Sequence, residues 1–173
     1  DEIQAVRAKL PAVMTEQEIV DAVMHNDFSL VCGDTGCGKS TQVPQFLYEA
    51  GFTAGTKAGY LIAVTQPRRV AAVAVADRVG VELNDPKLVG YQVRYDKQID
   101  ARSMHIKFMT DGILLRELQT DIRLPKYSVV VVDEAHERSI NCDLLLGLLS
   151  GSVRARRASA VPLKVVIMSA TLR

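Results

Sequence analysis

Tryptophan is absent, and cysteine occurs only three times, as Cys32, Cys37 and Cys142. That odd, scattered set has no CxxC pair and no matching histidine spacing. It argues against a disulfide scaffold or a zinc site and fits a reducing compartment. Charge of one sign is also lacking: 21 Lys and Arg face 20 Asp and Glu, for a formal net charge of +1 at pH 7. A basic nucleic-acid arm, an acidic tail and a disordered polyampholyte are disfavoured, so any binding surface must be local. The densest apolar stretches, Val129–Val132, Leu144–Leu149 and Val165–Met168, have the length of a strand or a helix face and fall short of a membrane span. Asp1-Glu2-Ile3-Gln4 has no basic start leading into an apolar segment, so no secretory signal is read there.

What is present suffices for one domain. The chain has 173 residues, 48% of them hydrophobic, enough for a core but too few for two full α/β domains. Both ends read as cuts, and we expect one domain, residues 1–173, excised from a longer chain. Thr15-Glu16-Gln17-Glu18 has the form of a capping box ahead of a helix carrying Ile19, Val20, Val23 and Met24. Phe28–Cys32 reads as a strand, and the spacing of Val43, Phe46, Leu47 and Ala50 as a helix that Gly51 stops. Tyr60–Val64 is a strand, and Val70–Ala76, continuing to Val79 and Val81, a helix buried on most sides. Val89–Tyr95 and Ile106–Met109 follow as strands, then a helix at Asp111–Gln119. Ser128–Val132 reads as a central parallel strand covered on both faces, Asp143–Leu149 as a helix and Lys164–Met168 as the last strand. The alternation predicts a mostly parallel α/β sheet with helices on both faces.

The strongest chemical signal is Gly33-Asp34-Thr35-Gly36-Cys37-Gly38-Lys39-Ser40, a full GxxxxGK[ST] match between a strand and a helix that opens at Thr41. Gly33, Gly36 and Gly38 let successive N–H groups point into one concavity, where the positive end of the helix adds its pull on phosphate. Lys39 would reach the outer phosphates and the Ser40 hydroxyl would ligate Mg²⁺. Cys37 reads as a small side chain tolerated close to phosphate. The second signal is Asp133-Glu134-Ala135-His136 at the tip of the valine strand. An acid placed there holds Mg²⁺ in nucleotide hydrolases, and Glu134 could help hold the ion or activate the attacking water. His136 by itself reads more readily as structural than as catalytic.

Three more segments should end strands on the same carboxyl edge: Thr65-Gln66-Pro67-Arg68-Arg69, Thr110-Asp111-Gly112 and Ser169-Ala170-Thr171. Arg68 and Arg69, with small hydroxyls and backbone N–H groups, are suited to gripping a phosphodiester chain. Arg154, Arg156 and Arg157 read as a solvated helix end or loop.

Taken together these segments resemble the first RecA-like domain of a DEAH-box RNA helicase of superfamily 2, collinearly over essentially the whole chain. Gly33–Ser40 looks like motif I and Thr65–Arg69 like motif Ia. Thr110–Gly112 looks like motif Ib, Asp133–His136 like motif II, and Ser169–Thr171 like motif III. Pro44, costly inside a helix, is also found at this place in that family. Phe46–Phe52 is similar to the DEAH helicases of small-ribosomal-subunit biogenesis. Asp34 and Cys37 depart from the usual glutamate and serine without removing a phosphate donor.

The resemblance implies a RecA-like P-loop NTPase fold using ATP, other nucleoside triphosphates and Mg²⁺. Gly33 to Thr41 would hold phosphates and Arg78 would stack on the base. Lys39, Asp133, Glu134 and His136 would form the catalytic group, with Ser40, Asp133 and Glu134 around the metal. Arg68, Arg69, Arg94 and Thr110 would contact the RNA backbone, and Ser169 and Thr171 would couple hydrolysis to strand movement. It further implies a second RecA-like domain bearing arginine fingers, an activating protein cofactor, no membrane association, and an intracellular protein, nuclear or nucleolar or else cytoplasmic, of ribosome biogenesis or pre-mRNA processing. Without that second domain the fragment is expected to bind nucleotide weakly and turn it over poorly. Two rival readings stay open: a P-loop ATPase that remodels protein, and a nucleotide-sensing scaffold without turnover.

Overall fold

The computed structural model describes residues 2–54 and 59–170. Seven strands form one sheet: β1 (Phe28–Cys32), β2 (Leu61–Gln66), β3 (Val89–Val93), β4 (Asp96–Gln98), β5 (Ile106–Thr110), β6 (Tyr127–Val132) and β7 (Lys164–Ser169). Their spatial order is β1-β7-β6-β2-β5-β3-β4. Every neighbouring pair is parallel except β3 with β4. The helices are α1 (Glu2–Arg7), α2 (Glu16–His25), α3 (Lys39–Glu49), α4 (Arg69–Glu82), α5 (Asp111–Thr120) and α6 (Ile140–Arg156).

Side chains on a strand alternate between faces, and β6 shows what that does. Val129 and Val131 enter one core with Phe46 and Leu47 of α3, Val23 of α2 and Val79 of α4. Val130 and Val132 enter the other with Leu114 of α5 and Leu145 and Leu149 of α6. All four valines are fully buried, each contributing about 1.5–3 kcal/mol of transfer free energy. The doubly covered strand expected from the sequence is therefore present, and with it the mostly parallel α/β architecture.

Several local expectations are corrected. Thr15 forms no capping box. A 3-10 turn, Pro11–Thr15, runs directly into α2, so the Thr15 hydroxyl turns back to donate to the Ala12 carbonyl at 2.9 Å instead of serving the helix N-terminus. Helix α4 is not buried on most sides: Val70 and Val81 are exposed, and the inward face consists of Ala72, Ala76, Val79 and Gly80. Small residues there let the helix lie close to its surroundings, where a Cβ on Gly80 would come within 3.3 Å of the Pro86 backbone. Residues 94–95 leave the strand for a turn, with Tyr95 at φ +65°, and β4 then returns antiparallel. Helix α6 is longer than expected, and Arg156 is not solvated. Its guanidinium is buried and donates to the carbonyls of Leu124, Tyr127 and Val161. Arg154 is exposed, and Arg157 pairs with Asp27 at the surface.

Candidate nucleotide site

The loop after β1 carries the first half of the site. Gly36 and Gly38 adopt φ of +83° and +96°, which side chains resist. Gly33 matters through crowding, since a Cβ there would meet the Cys37 sulfur at 3.0 Å. The loop is braced from outside, where the Ala12 N–H donates to the Cys37 carbonyl at 3.1 Å and the Leu10 side chain packs against Gly38. Lys39 is buried at the start of α3, and its Nζ donates to the Gly33 carbonyl at 2.7 Å and the Asp34 carbonyl at 3.3 Å, with the Cys37 sulfur at 3.8 Å. Asp34 and Thr35 are exposed on the rim. The Thr41 hydroxyl donates to the Gly38 carbonyl at 3.2 Å, closing the first turn.

The second half comes from the tip of β6, two strands away across β7. Asp133 is 1% exposed. Its Oδ2 accepts from the Ser40 hydroxyl at 2.6 Å and from Gln66 Nε2 at 2.5 Å, and its Oδ1 accepts from the Glu134 N–H at 2.8 Å. Glu134 stands at φ +58° and Arg138 at φ +52°, one on each side of a short 3-10 turn. Left-handed backbone at a side-chain-bearing residue costs about 1–2 kcal/mol, and such strain gathers at functional sites. Burial, followed by the neighbouring Asp133 charge, pushes the Glu134 carboxyl above the usual glutamate range. Segments 33–40 and 133–134 thus converge.

His136 joins a third element. Its Nδ1 accepts from the Ala170 N–H at 2.9 Å, and its Nε2 lies 3.4 Å from Glu134 Oε2. The end of β7 is held from the other side too, since the Gly33 N–H donates to the Ser169 carbonyl at 3.3 Å. Ser169 is buried, its hydroxyl turned to the Ala170 carbonyl. Thr171 lies outside the described residues. A cavity of about 440 Å³ opens beside the loop between Pro11, Ile19, Cys32, Gly36 and Lys39.

Of the remaining candidates, Arg68 borders this cluster, since its partner Glu137 lies within 4.8 Å of the Glu134 and His136 side chains. Arg68 is exposed and pairs with Glu137 at 3.0 Å, which links the end of β2 to the segment after β6. Arg69 is exposed at the start of α4. Thr110 ends β5 without a side-chain capping bond. Arg94 occupies the β3–β4 turn, where its guanidinium lies 4.8 Å from the Tyr95 ring centre. Arg78 sits on the outer side of α4, bonded through Nε to Glu82 at 2.7 Å.

Three buried polar residues that the resemblance gave no role also belong here. Gln66, inside the segment 65–69, donates to the central carboxylate. Asp111, just past Thr110, is buried beside the Thr65 and Ser139 hydroxyls, and burial raises its carboxyl above the ordinary range despite them. Glu82 is the third.

A glycine-rich loop and an acid converging at the carboxyl edge of a parallel sheet define a nucleotide-binding α/β domain. The family model for DEAD/DEAH box helicases matches residues 14–173, and the chain belongs to that family. It is 54% identical over 99% of its length to rha-2 of Caenorhabditis elegans, 53% over 99% to human DHX37, and 48% over 99% to DEAH13 of Arabidopsis thaliana. The name of each describes an ATP-dependent RNA helicase. The chain spans about 15% of the length of these relatives. Among the described residues no helix is long and apolar enough to cross a membrane.

Proposed function

We propose that this domain binds and hydrolyses ATP, and other nucleoside triphosphates, to drive RNA remodelling in the longer protein. The observation that carries this is the 2.6 Å bond between Ser40 and Asp133, which joins two segments 93 residues apart at one point. A hydroxyl beside a carboxylate, both oxygen donors, fits Mg²⁺, which prefers a few carboxylate and hydroxyl ligands together with substrate phosphates. Ser40 and Asp133 would hold the ion, with Glu134 close by, and the bound metal would neutralise charge on the phosphates.

The same proposal gives the protein's own residues their parts. In the loop 33–41 the N–H groups other than those of Gly33 and Cys37, which are bonded to carbonyls, line the phosphate concavity, and Lys39 exchanges its loop carbonyls for phosphate oxygens. Gln66 fixes the Asp133 carboxylate. Glu134, aimed by its backbone, accepts the proton of the attacking water, and its raised affinity for protons suits a base. His136 ties Glu134 to the end of β7 and so to Ser169 and Thr171, the coupling segment. Arg78 stacks on the base. Arg68, Arg69, Arg94 and Thr110 contact RNA phosphates. A second RecA-like domain supplies the arginines that complete the site, with a protein activator acting on the whole. Segment Phe46–Phe52 supports a place in ribosome biogenesis, hence a nuclear or nucleolar setting.

Replacing Glu134 by Gln in the full-length protein tests this. RNA-stimulated turnover should fall by at least about 100-fold, as expected for losing a general base, while nucleotide binding persists. Wild-type turnover that ignores RNA would favour a protein-remodelling ATPase, and indifference to Glu134→Gln would favour a sensor without turnover.

A further inference from the structure

Glu82 is a buried carboxylate at the α3–α4 interface, 2% exposed and distant from the metal-binding acids in sequence. Its Oε2 accepts from Gln42 Nε2 at 2.8 Å and Gln45 Nε2 at 2.7 Å, both on α3, the helix that begins with Lys39. Its Oε1 accepts from Arg78 Nε at 2.7 Å, one helical turn earlier on α4. Burial alone would raise this carboxyl, but the two amides and the guanidinium outweigh it and hold it below the usual range. Gln42 continues the chain by donating to the Thr41 hydroxyl at 2.9 Å, which in turn donates to Gly38 of the loop.

Packing alone does not account for a charge in this place. A buried ionic group is often matched or bettered by an apolar residue of similar volume, and the rest of the inward face of α4 is Ala72, Ala76, Val79 and Gly80. The network also leaves one buried atom, Gln45 Oε1, without a partner. What Glu82 does achieve is to fix Arg78. An arginine that is about half exposed loses much side-chain freedom when a ligand orders it, and here Nε is already committed while the rest of the guanidinium stays accessible.

We infer that Glu82 is a positioning residue for nucleotide recognition, holding the Arg78 guanidinium plane in place for the base and tying it to the helix that carries Lys39. This rests on the proposed base contact of Arg78. Because the bond is to Nε, one planar face remains free to stack, and Lys at position 78 could pair with Glu82 but could not offer that face.

The test compares ADP with inorganic tripolyphosphate, both with Mg²⁺, by calorimetric titration of the full-length protein. Glu82→Gln should weaken ADP about fivefold, the scale of one cation–π contact, and leave tripolyphosphate within about twofold. In an Arg78→Ala background the same change should do nothing further. Arg78→Lys should resemble Arg78→Ala, and it supplies the second comparison if the amide variant folds poorly. Equal weakening of both ligands, or additive effects of the two positions, overturns the positioning role while leaving the base contact standing. If Arg78→Ala leaves ADP affinity unchanged, the base contact itself falls and this inference falls with it.

Discussion

The border of this domain proposed to hold nucleotide and the residues proposed to meet RNA are built differently. Around the phosphate loop Lys39, Asp133 and Ser169 are each less than a tenth exposed, and every one is hydrogen-bonded to a neighbour. Arg69 stands in solvent three residues after Gln66, and at the far end of the sheet Arg94 leans, among the described residues, on the adjacent Tyr95. A centre that must stabilise developing charge gains from fixed dipoles in a poorly polarisable setting. A surface that follows a polyanion needs only positive charge within reach of phosphates. Substitutions should therefore act through geometry in the first group and through ionic strength in the second.

The sharpest way to break that contrast is Lys39→Ala. Nucleotide affinity should drop roughly 100-fold, the loss of charge-assisted hydrogen bonds, with RNA affinity at fixed salt barely altered. Parallel losses in both titrations would mean that the two groups are not separate. Gln66→Leu should come next, lowering ATP turnover of the full-length protein about tenfold by removing one of the two donors to Asp133 Oδ2. An unchanged rate would show that Ser40 and the Glu134 N–H suffice to hold that carboxylate.

Asp111 sharpens the contrast from inside. Its carboxyl is raised in the folded state by burial, so folding favours the protonated form, and stability declines as pH climbs from the ordinary aspartate range through the folded value. Asp111→Asn should therefore raise stability near pH 8 by about 1 kcal/mol, with the gain shrinking toward pH 4 in denaturant titrations; a gain independent of pH would refute the burial argument. Smallest of all, Arg94→Ala should reduce the slope of log affinity against log salt by about one, equally for unrelated RNA sequences. A sequence-dependent loss would instead make Arg94 a reader of bases.

How much of this could be read in advance depended on the kind of contact. The loop 33–40 and the valine strand were legible because each imposes a local pattern: glycine where the backbone must bend, and unbroken β-branching where both faces are covered. Family resemblance then supplied roles for exposed residues such as Arg94, whose surroundings carry no pattern of their own. Illegible were the long-range polar contacts. Nothing near Arg156 signals that three carbonyls 5 to 32 positions away will surround it, and it looked like part of a surface cluster. Gln66 was silent for the same reason, and so were the two amides that meet Glu82, since these partners lie 67 and 37 to 40 positions away. Thr15 shows the converse: a good local capping pattern lost to the 3-10 turn in front of it.

The left-handed backbone at Glu134 carries one more consequence. A glycine would relax more comfortably into that bend, so the position trades local ease for a side chain that leaves the backbone in a fixed direction. The covalent path out of β6 thus sets where the Glu134 side chain starts, and a change that straightens the path should draw its carboxylate away from His136 even with every neighbouring side chain intact.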